Sequence, residues 1–419
     1  MKVLWFTGVK PPAVTGQKPT RGFWQEGLRS TLEKHHPELE LGIASIGNED
    51  YVSFTKGNTT YFNVLRKTVE HSRIGSIIHG WKPYQYDFAE AERYKEVVNE
   101  FKPNLIVSYG IENPFIMGLK NLDIPILVTI QGSVEQITRH YFDGLNRSEF
   151  MRLVFSKNFV LGRSAIQRYL YLRSYIPYEK EFFKHCQNFS GRTHWDKNLV
   201  LTNRPDANYH HCDNIINPIF YSQQWQGSNT DEVHLYSTCS NAIFKGSLTL
   251  VKGIKILKDR GHKNIKLRLA GMHPESEIGK MTSSFIQHND LNDTVTLLGR
   301  VQQSQIVDEV KNCDIYISPS HMENSPNSLA EAMSMGAPCV ASNAGGTTSL
   351  IAHEEEGLVY QHNDIEALAN SIERFILNPD YARELAAQGR IASIKRNDPA
   401  KVADTMFGIY DKLINSSPD

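Results

Sequence analysis

The sequence predicts an α/β protein made of two doubly wound domains that face each other across a cleft. Three observations lead there. At 419 residues the chain exceeds what one hydrophobic core normally supports. Short β-branched runs that end in Gly or polar turns alternate with helical periodicity along its whole length, the pattern of parallel βα units. A polar, turn-rich stretch from Asp213 to Thr230, with Asn217-Pro218 and then Gln223 to Asn229, separates two sets of such runs. The division expected is 1–213 for the first domain and 214–397 for the second, with 398–419 as a terminal helix.

In the first half the strands expected are Val3 to Thr7, Leu39 to Ile46, Leu105 to Tyr109, Ile126 to Ile130 and Phe189 to Arg192. Between the first two, a loop from Gly8 leads into a helix with Leu28 and Leu32 on one face. In the second half they are Val233 to Thr238, Ile265 to Ala270, Val295 to Leu298, Ile315 to Ser318 and Cys339 to Ser342. Ligands of such sheets bind outside the carboxyl ends of the strands, so chemistry is sought directly after them.

Composition removes several classes. Lys plus Arg total 45 against 46 Asp plus Glu, with 40% hydrophobic residues, an ordinary balance that calls for no nucleic-acid partner. The start, Met1 to Gly8, has one lysine and a four-residue apolar run, short of a signal-peptide core, and no apolar stretch approaches a membrane span. Five scattered cysteines suggest neither a disulfide framework nor a zinc site, and a reduced, cytoplasmic protein with buried thiols is expected. The doublets His35-His36 and His210-His211 lack further ligands at metal spacing, so no metal and no cofactor are expected. P-loop, Gly-x-Gly-x-x-G and Gly-x-Ser-x-Gly signatures are absent from their required settings.

The informative block runs from Ile315 to Ser342 and reads strand, loop, helix, turn, strand. Ser325 is expected to cap the helix with Pro326 in its first position, and Gly336-Ala-Pro338 to end it. Glu323 then lies in the loop before the helix and Glu331 inside it. A helix start presents backbone N–H groups and partial positive charge, suited to a diphosphate. Carboxylates beside it can accept hydrogen bonds from sugar and ribose hydroxyls.

This block resembles the donor-binding signature of retaining glycosyltransferases of the GT-B fold, family 4, in which two glutamates are separated by seven residues. Glu323 and Glu331 have that separation, and Ser318-Pro-Ser320, Glu331-Ala-Met333 and Gly336-Ala-Pro338 resemble the flanks. The resemblance, of a polysaccharide-assembly type, implies two Rossmann-like domains and a cleft-bound nucleotide-sugar. It implies that Glu323 holds the donor sugar and Glu331 the ribose, with Asn324, Ser325, Asn327 and Ser328 near the diphosphate. Lys245, in Phe244-Lys-Gly246, matches one of the family's two phosphate-binding cations; the other position, usually Arg, is Ser240. At the family's Gly-Gly junction in the first domain this chain has Arg21-Gly22, and Arg21 is a candidate to supply the cation missing at Ser240. Gln131, followed by Gly132, stands where many members have a histidine near the acceptor. Asn343-Ala-Gly-Gly346 resembles a further family loop, with Ser349 in place of its usual Glu. The terminal helix is expected to pack on the first domain, as in relatives, and Gly191 to Asp196 to help close that domain.

The implied activity is retaining, hexosyltransferase-type transfer from a nucleotide-sugar to a saccharide or lipid-linked acceptor in polysaccharide biosynthesis. Alternatives of the same fold are a nucleotide or glycan binder without turnover, a nucleotide-sugar epimerase and a phosphorylase. From Arg147 to Lys197 cations outnumber anions with Leu, Phe and Tyr between them, which suits peripheral contact with an anionic membrane at its inner face.

Overall fold

The computed structural model describes residues 1–16, 23–47, 53–65 and 73–415. They form two compact units: Met1–Thr138 with Gln167–Ile215 and Asn397–Asp419, and Arg139–Ile166 with Ile216–Arg396. Each unit holds one sheet flanked by helices, a doubly wound architecture.

The first sheet contains β1 (Lys2–Thr7), β2 (Glu40–Gly47), β3 (Ser53–Lys56), β4 (Thr59–Leu65), β5 (Leu105–Tyr109), β6 (Ile126–Thr129), β7 (Asn188–Gly191) and β8 (Asn208–His211). Their order is β3-β4-β2-β1-β5-β6-β7-β8, parallel except for the β3–β4 pair. The second contains β9 (Val233–Thr238), β10 (Ile265–Ala270), β11 (Val295–Gly299), β12 (Ile315–Ser318), β13 (Cys339–Ser342) and β14 (Leu358–Tyr360). Its order is β11-β10-β9-β12-β13-β14, with every pair parallel. In both sheets the chain order reverses beside the first strand, β1 and β9, which places a ligand crevice past their carboxyl ends.

All ten expected strands are present. Among the described residues four more appear: β3 and β4, a hairpin turning at Gly57 (φ 62), and the edge strands β8 and β14. The last two escaped because they are short, and β8 is polar and keeps no buried residue. The central strands β1, β5 and β12 are almost wholly buried, as sheets covered on both faces require.

The division of the chain departs from 1–213, 214–397 and 398–419 in one substantial segment. Residues 139–166 belong with the second unit. Leu153 is buried in that unit's core, with Phe142 and Leu145 packed against it, and Lys252 Nζ donates to Glu149 at 2.8 Å. Hydrophobic anchoring of this kind cannot be read from a run of helical residues. Most of the stretch taken as a connector is also built in: Ile216 and Phe220 are buried, and Trp225 Nε1 donates to the Cys313 carbonyl at 2.6 Å. The helix Pro399–Asn415 packs in the first unit, with Val402, Met406 and Tyr410 against Leu28, Leu32 and Trp5. All five cysteines are free and buried. Among the described residues no helix is long and apolar enough to cross a membrane.

Candidate functional site

In the second unit, β9 runs out at Thr238 and the chain turns through Ser240 and Asn241 into a short helical turn, Ile243–Lys245. Gly246 follows with φ 73, and a Cβ there would stand 2.0 Å from the Pro319 carbonyl oxygen. Only glycine lets this turn press against the loop after β12. The consequence is the main contact of the site: Lys245 Nζ donates to Glu323 Oε1 at 2.6 Å. Ser320 Oγ donates to the same oxygen at 2.7 Å. The two side chains are 27% and 13% exposed, so the pair is partly desolvated and open on one side.

The loop after β13 secures Glu323 from behind. Gly346 N–H donates to the Glu323 carbonyl at 3.1 Å. Gly345 has φ 52, and a Cβ on it would lie 1.9 Å from that carbonyl oxygen. The Gly-Gly pair is therefore a backbone clamp on the Glu323 loop. Ser342 Oγ adds a hydrogen bond to the Ser320 carbonyl from the end of β13.

The helix Asn327–Met335 starts one residue later than expected. Its N-cap is Pro326, not Ser325, and the proline side chain makes no capping hydrogen bond. Pro326 supplies its carbonyl to Leu329 and Ala330 instead, which removes the need for a hydroxyl cap. Asn324 is buried, Ser325 and Ser328 half-buried, and Asn327 exposed at this end. Gly336, with φ 86, closes the other end as expected.

Glu331, in the second turn, keeps partial solvent access, yet its surroundings are dense enough that desolvation pushes its carboxyl up to about 8. The Tyr236 and Tyr316 side chains lie within electrostatic reach of it. Tyr316 is held in place by Thr238, with the two hydroxyls 2.7 Å apart. Ser240, at the position of the expected second cation, accepts from Ala242 N–H at 3.3 Å and brings no charge.

One neighbour went unnoticed in the sequence although it adjoins the motif. His321 is 1% exposed, and its Nε2 pairs with Thr249 Oγ1 at 2.9 Å. Burial pushes its imidazole down to about 4, so it is neutral near pH 7. Its backbone N–H donates to the Phe244 carbonyl at 2.7 Å, a second tie between the Lys245 turn and the Glu323 loop. Ser320 was missed too, although it lies only three residues before Glu323 in the same loop.

In the first unit, Gln131 and Gly132 follow β6 at its carboxyl end. Gln131 Nε2 is buried without a hydrogen-bond partner among the described residues, a donor facing no protein acceptor. Beside it lies Glu112. A Cβ on Gly110 (φ 88) would meet Glu112 Oε2 at 2.2 Å, and one on Gly132 would meet Oε1 at 2.7 Å. Its carboxyl is raised by desolvation, which the backbone N–H groups of Glu112 and Ile111 and the charge of Arg192 partly offset. Asp196 forms a capping box with Thr193 at the start of the helix His194–Asn203, a structural role for the Gly191–Asp196 stretch. Arg21 and Gly22 lie outside the described residues.

A cavity lined by Trp225, Val233, Asp314, Ile315 and Phe375 opens at the amino ends of β9 and β12, the opposite edge from Glu323. The site is thus defined by strand ends, glycine-enabled contacts and charge.

This fold is the GT-B fold of two-domain glycosyltransferases. Sucrose-phosphate synthase from Thermosynechococcus elongatus matches with a TM-score of 0.73 at 16% identity, over 99% of both chains. Anabaena Alr3699/HepE, in complex with UDP and glucose, matches with a TM-score of 0.65 at 12% identity, over 98% of this chain and 99% of that one. Residues 228–392, which carry Lys245, Glu323 and Glu331, match the family model described as Glycosyl transferases group 1. The capsular polysaccharide biosynthesis glycosyltransferase CapM of Staphylococcus aureus is 26% identical over 174 residues, 41% of this chain and 44% of that protein. The chain spans less than half the length of these curated relatives that it matches.

Proposed function

We propose that this protein transfers a hexosyl group from a nucleoside-diphosphate sugar to a saccharide or lipid-linked acceptor in glycan assembly, with retention of configuration. The observation that carries the reading is the Lys245–Glu323 contact, set beside the start of the helix Asn327–Met335. In the reading, Lys245 and the helix start bind the diphosphate, Glu323 the sugar hydroxyls and Glu331 the ribose hydroxyls. The bond from the anomeric carbon to the diphosphate oxygen breaks, and a bond to the acceptor oxygen forms on the same face. The acceptor's proton passes to the departing phosphate, so no protein base is required. Gln131, with its unpartnered Nε2, would donate to the acceptor or the sugar. Gly22, and Arg21 as a further cation, would approach the diphosphate. A uridine diphosphate sugar is the first donor to try, because HepE is similar in fold and binds UDP.

The test is a panel of nucleotide-sugars followed by nucleoside-diphosphate release, with stability measured in parallel, since a bound donor raises it. Release abolished by Glu323→Ala supports transfer. A second reading, binding without turnover, is favoured by the uncharged Ser240; stabilisation by a donor with no diphosphate release would establish it instead.

We also propose peripheral contact with an anionic membrane. Phe155 and Val160 are 81% and 70% exposed, and Arg152, Lys157 and Arg163 are close in sequence to them. Co-sedimentation with anionic vesicles that weakens with salt is expected; equal recovery with neutral vesicles would refute it.

A further inference from the structure

Two turns of the second unit that are far apart in sequence bring His140, Asp143 and His362 together. One ring nitrogen from each histidine and one carboxylate oxygen of Asp143 lie within 4.8 Å of one another. His140 Nδ1 is 2.8 Å from Asp143 Oδ2, and the two imidazole rings meet edge to face with centroids 5.5 Å apart. Ligand atoms on one tetrahedral zinc ion stand roughly 3.4 Å apart, given bonds of about 2.0 to 2.2 Å. Side-chain rotations that draw the three atoms together by up to roughly 1.4 Å would complete three bonds.

A second feature supports a ligand role. Asn343 Oδ1 accepts the His362 backbone N–H at 2.8 Å and lies 3.1 Å from His362 Nδ1. Asn343 Nδ2 donates to Gln361 Oε1 at 2.8 Å, which fixes the amide so that its oxygen faces the imidazole. Gln361 Nε2 is farther from Nδ1, at 3.4 Å. With Nδ1–H donating to Asn343, Nε2 keeps the lone pair that a metal needs, the outer-shell arrangement usual for metal-binding histidines. Close by, the side chain of buried His321 abuts Gly144, the residue after Asp143, and its Nδ1 has no hydrogen-bond partner among the described residues.

We propose that His140, Asp143 and His362 form a binding site for a first-row divalent cation, Zn²⁺ foremost, oriented by Asn343. Two imidazoles and one carboxylate are borderline donors that suit Zn²⁺ over Mg²⁺ or Ca²⁺, and three protein ligands leave a position for water or another group. The ion ties the 140–143 turn to the loop after β14, and so fastens the segment 139–166 to the rest of its unit. The donor reading is not required for this.

The experiment uses tag-free full chain stripped with chelator and titrated with Zn²⁺ alone. One ion per chain is expected, with a melting temperature raised by roughly 5 to 10 °C at a hundredfold excess over Kd. Asp143→Asn and His362→Ala should each abolish that stoichiometric binding, and Asn343→Ala, with all three ligands intact, should weaken it about tenfold or more. Co²⁺ should give visible absorption of a low-coordinate protein site, a readout that needs no variant to fold. Absence of one-to-one binding, binding unchanged in Asp143→Asn, or a Co²⁺ spectrum matching the hydrated ion would overturn the proposal.

Discussion

Replacing Lys245 by Met removes one charge and keeps the aliphatic stem, so it isolates the electrostatic part of the reading. In the proposed reaction Lys245 is the one matching side-chain cation of the second unit for the departing diphosphate, because Ser240 occupies the other position. Loss of one fixed donor to a developing charge costs about 3 kcal/mol, and each 1.36 kcal/mol is about tenfold in rate. Turnover at saturating donor should therefore fall roughly 150-fold. The structural cost is smaller. Exposed pairs contribute about 0 to 1 kcal/mol, and breaking a fully buried one costs about 3 to 5. With Lys245 27% and Glu323 13% exposed, and Ser320 Oγ still donating to Glu323, about 1 to 2 kcal/mol is expected. That lowers the melting temperature by roughly 2 to 8 °C. The assay is diphosphate release at 25 °C, with circular dichroism on the same preparation. A folded Lys245→Met variant that turns over within about twofold of the parent would refute the assignment. A Lys245→Arg variant that fails equally would show that position, and not charge alone, matters.

Two further outcomes test the same site. Glu331 carries a carboxyl raised to about 8 by desolvation, so between its ordinary value near 4.3 and pH 8 the folded chain holds a proton that the unfolded chain has lost. Its contribution to stability is present at low pH and declines as pH rises through that window, whereas ribose hydroxyls that donate to the carboxylate favour the ionised form. Donor affinity should then increase from pH 6.5 to 8.5, and Glu331→Gln should flatten that rise; an identical pH profile in the variant would remove Glu331 from the donor site. Gly345→Ala puts a methyl where the Glu323 carbonyl now lies, at a positive φ, so a loss of about 2 kcal/mol or more is expected together with weaker donor binding. Thermal melts and donor titration check it, and an unperturbed Kd would show that the Gly-Gly loop does not position Glu323.

Much of the candidate site in the second unit was legible because it is contiguous. The block from Ile315 to Ser342 contains a strand, a loop, a helix and a strand in direct succession, and Glu323 and Glu331 are placed by those local elements. The helix cap was misplaced by one residue, since the choice between Ser325 and Pro326 depends on which carbonyl and N–H groups the surrounding turn leaves to be satisfied. His321 and Ser320 were passed over beside the motif: nothing in their own residue types says that one will be buried against Thr249 and the other bonded to Glu323. The confinement of Glu112 by Gly110 and Gly132 joins the ends of β5 and β6, which only the folded sheet brings together.

The sequence by itself determined the doubly wound α/β class and the ten main strands, and it singled out the two glutamates and one lysine of the proposed donor site. The class and the strands rest on local periodicity and turn chemistry, and the three site residues on the family resemblance of short contiguous motifs. Only the tertiary structure decided that Lys245 meets Glu323 across 78 residues of chain, that Gly345 and Gly346 clamp the Glu323 backbone, and that residues 139–166 join the second unit. The same holds for His362 beside His140 and Asp143. Parallel strands return their loops to one edge from distant parts of the chain, so the contacts that make a site are long-range packing outcomes and carry no local signature.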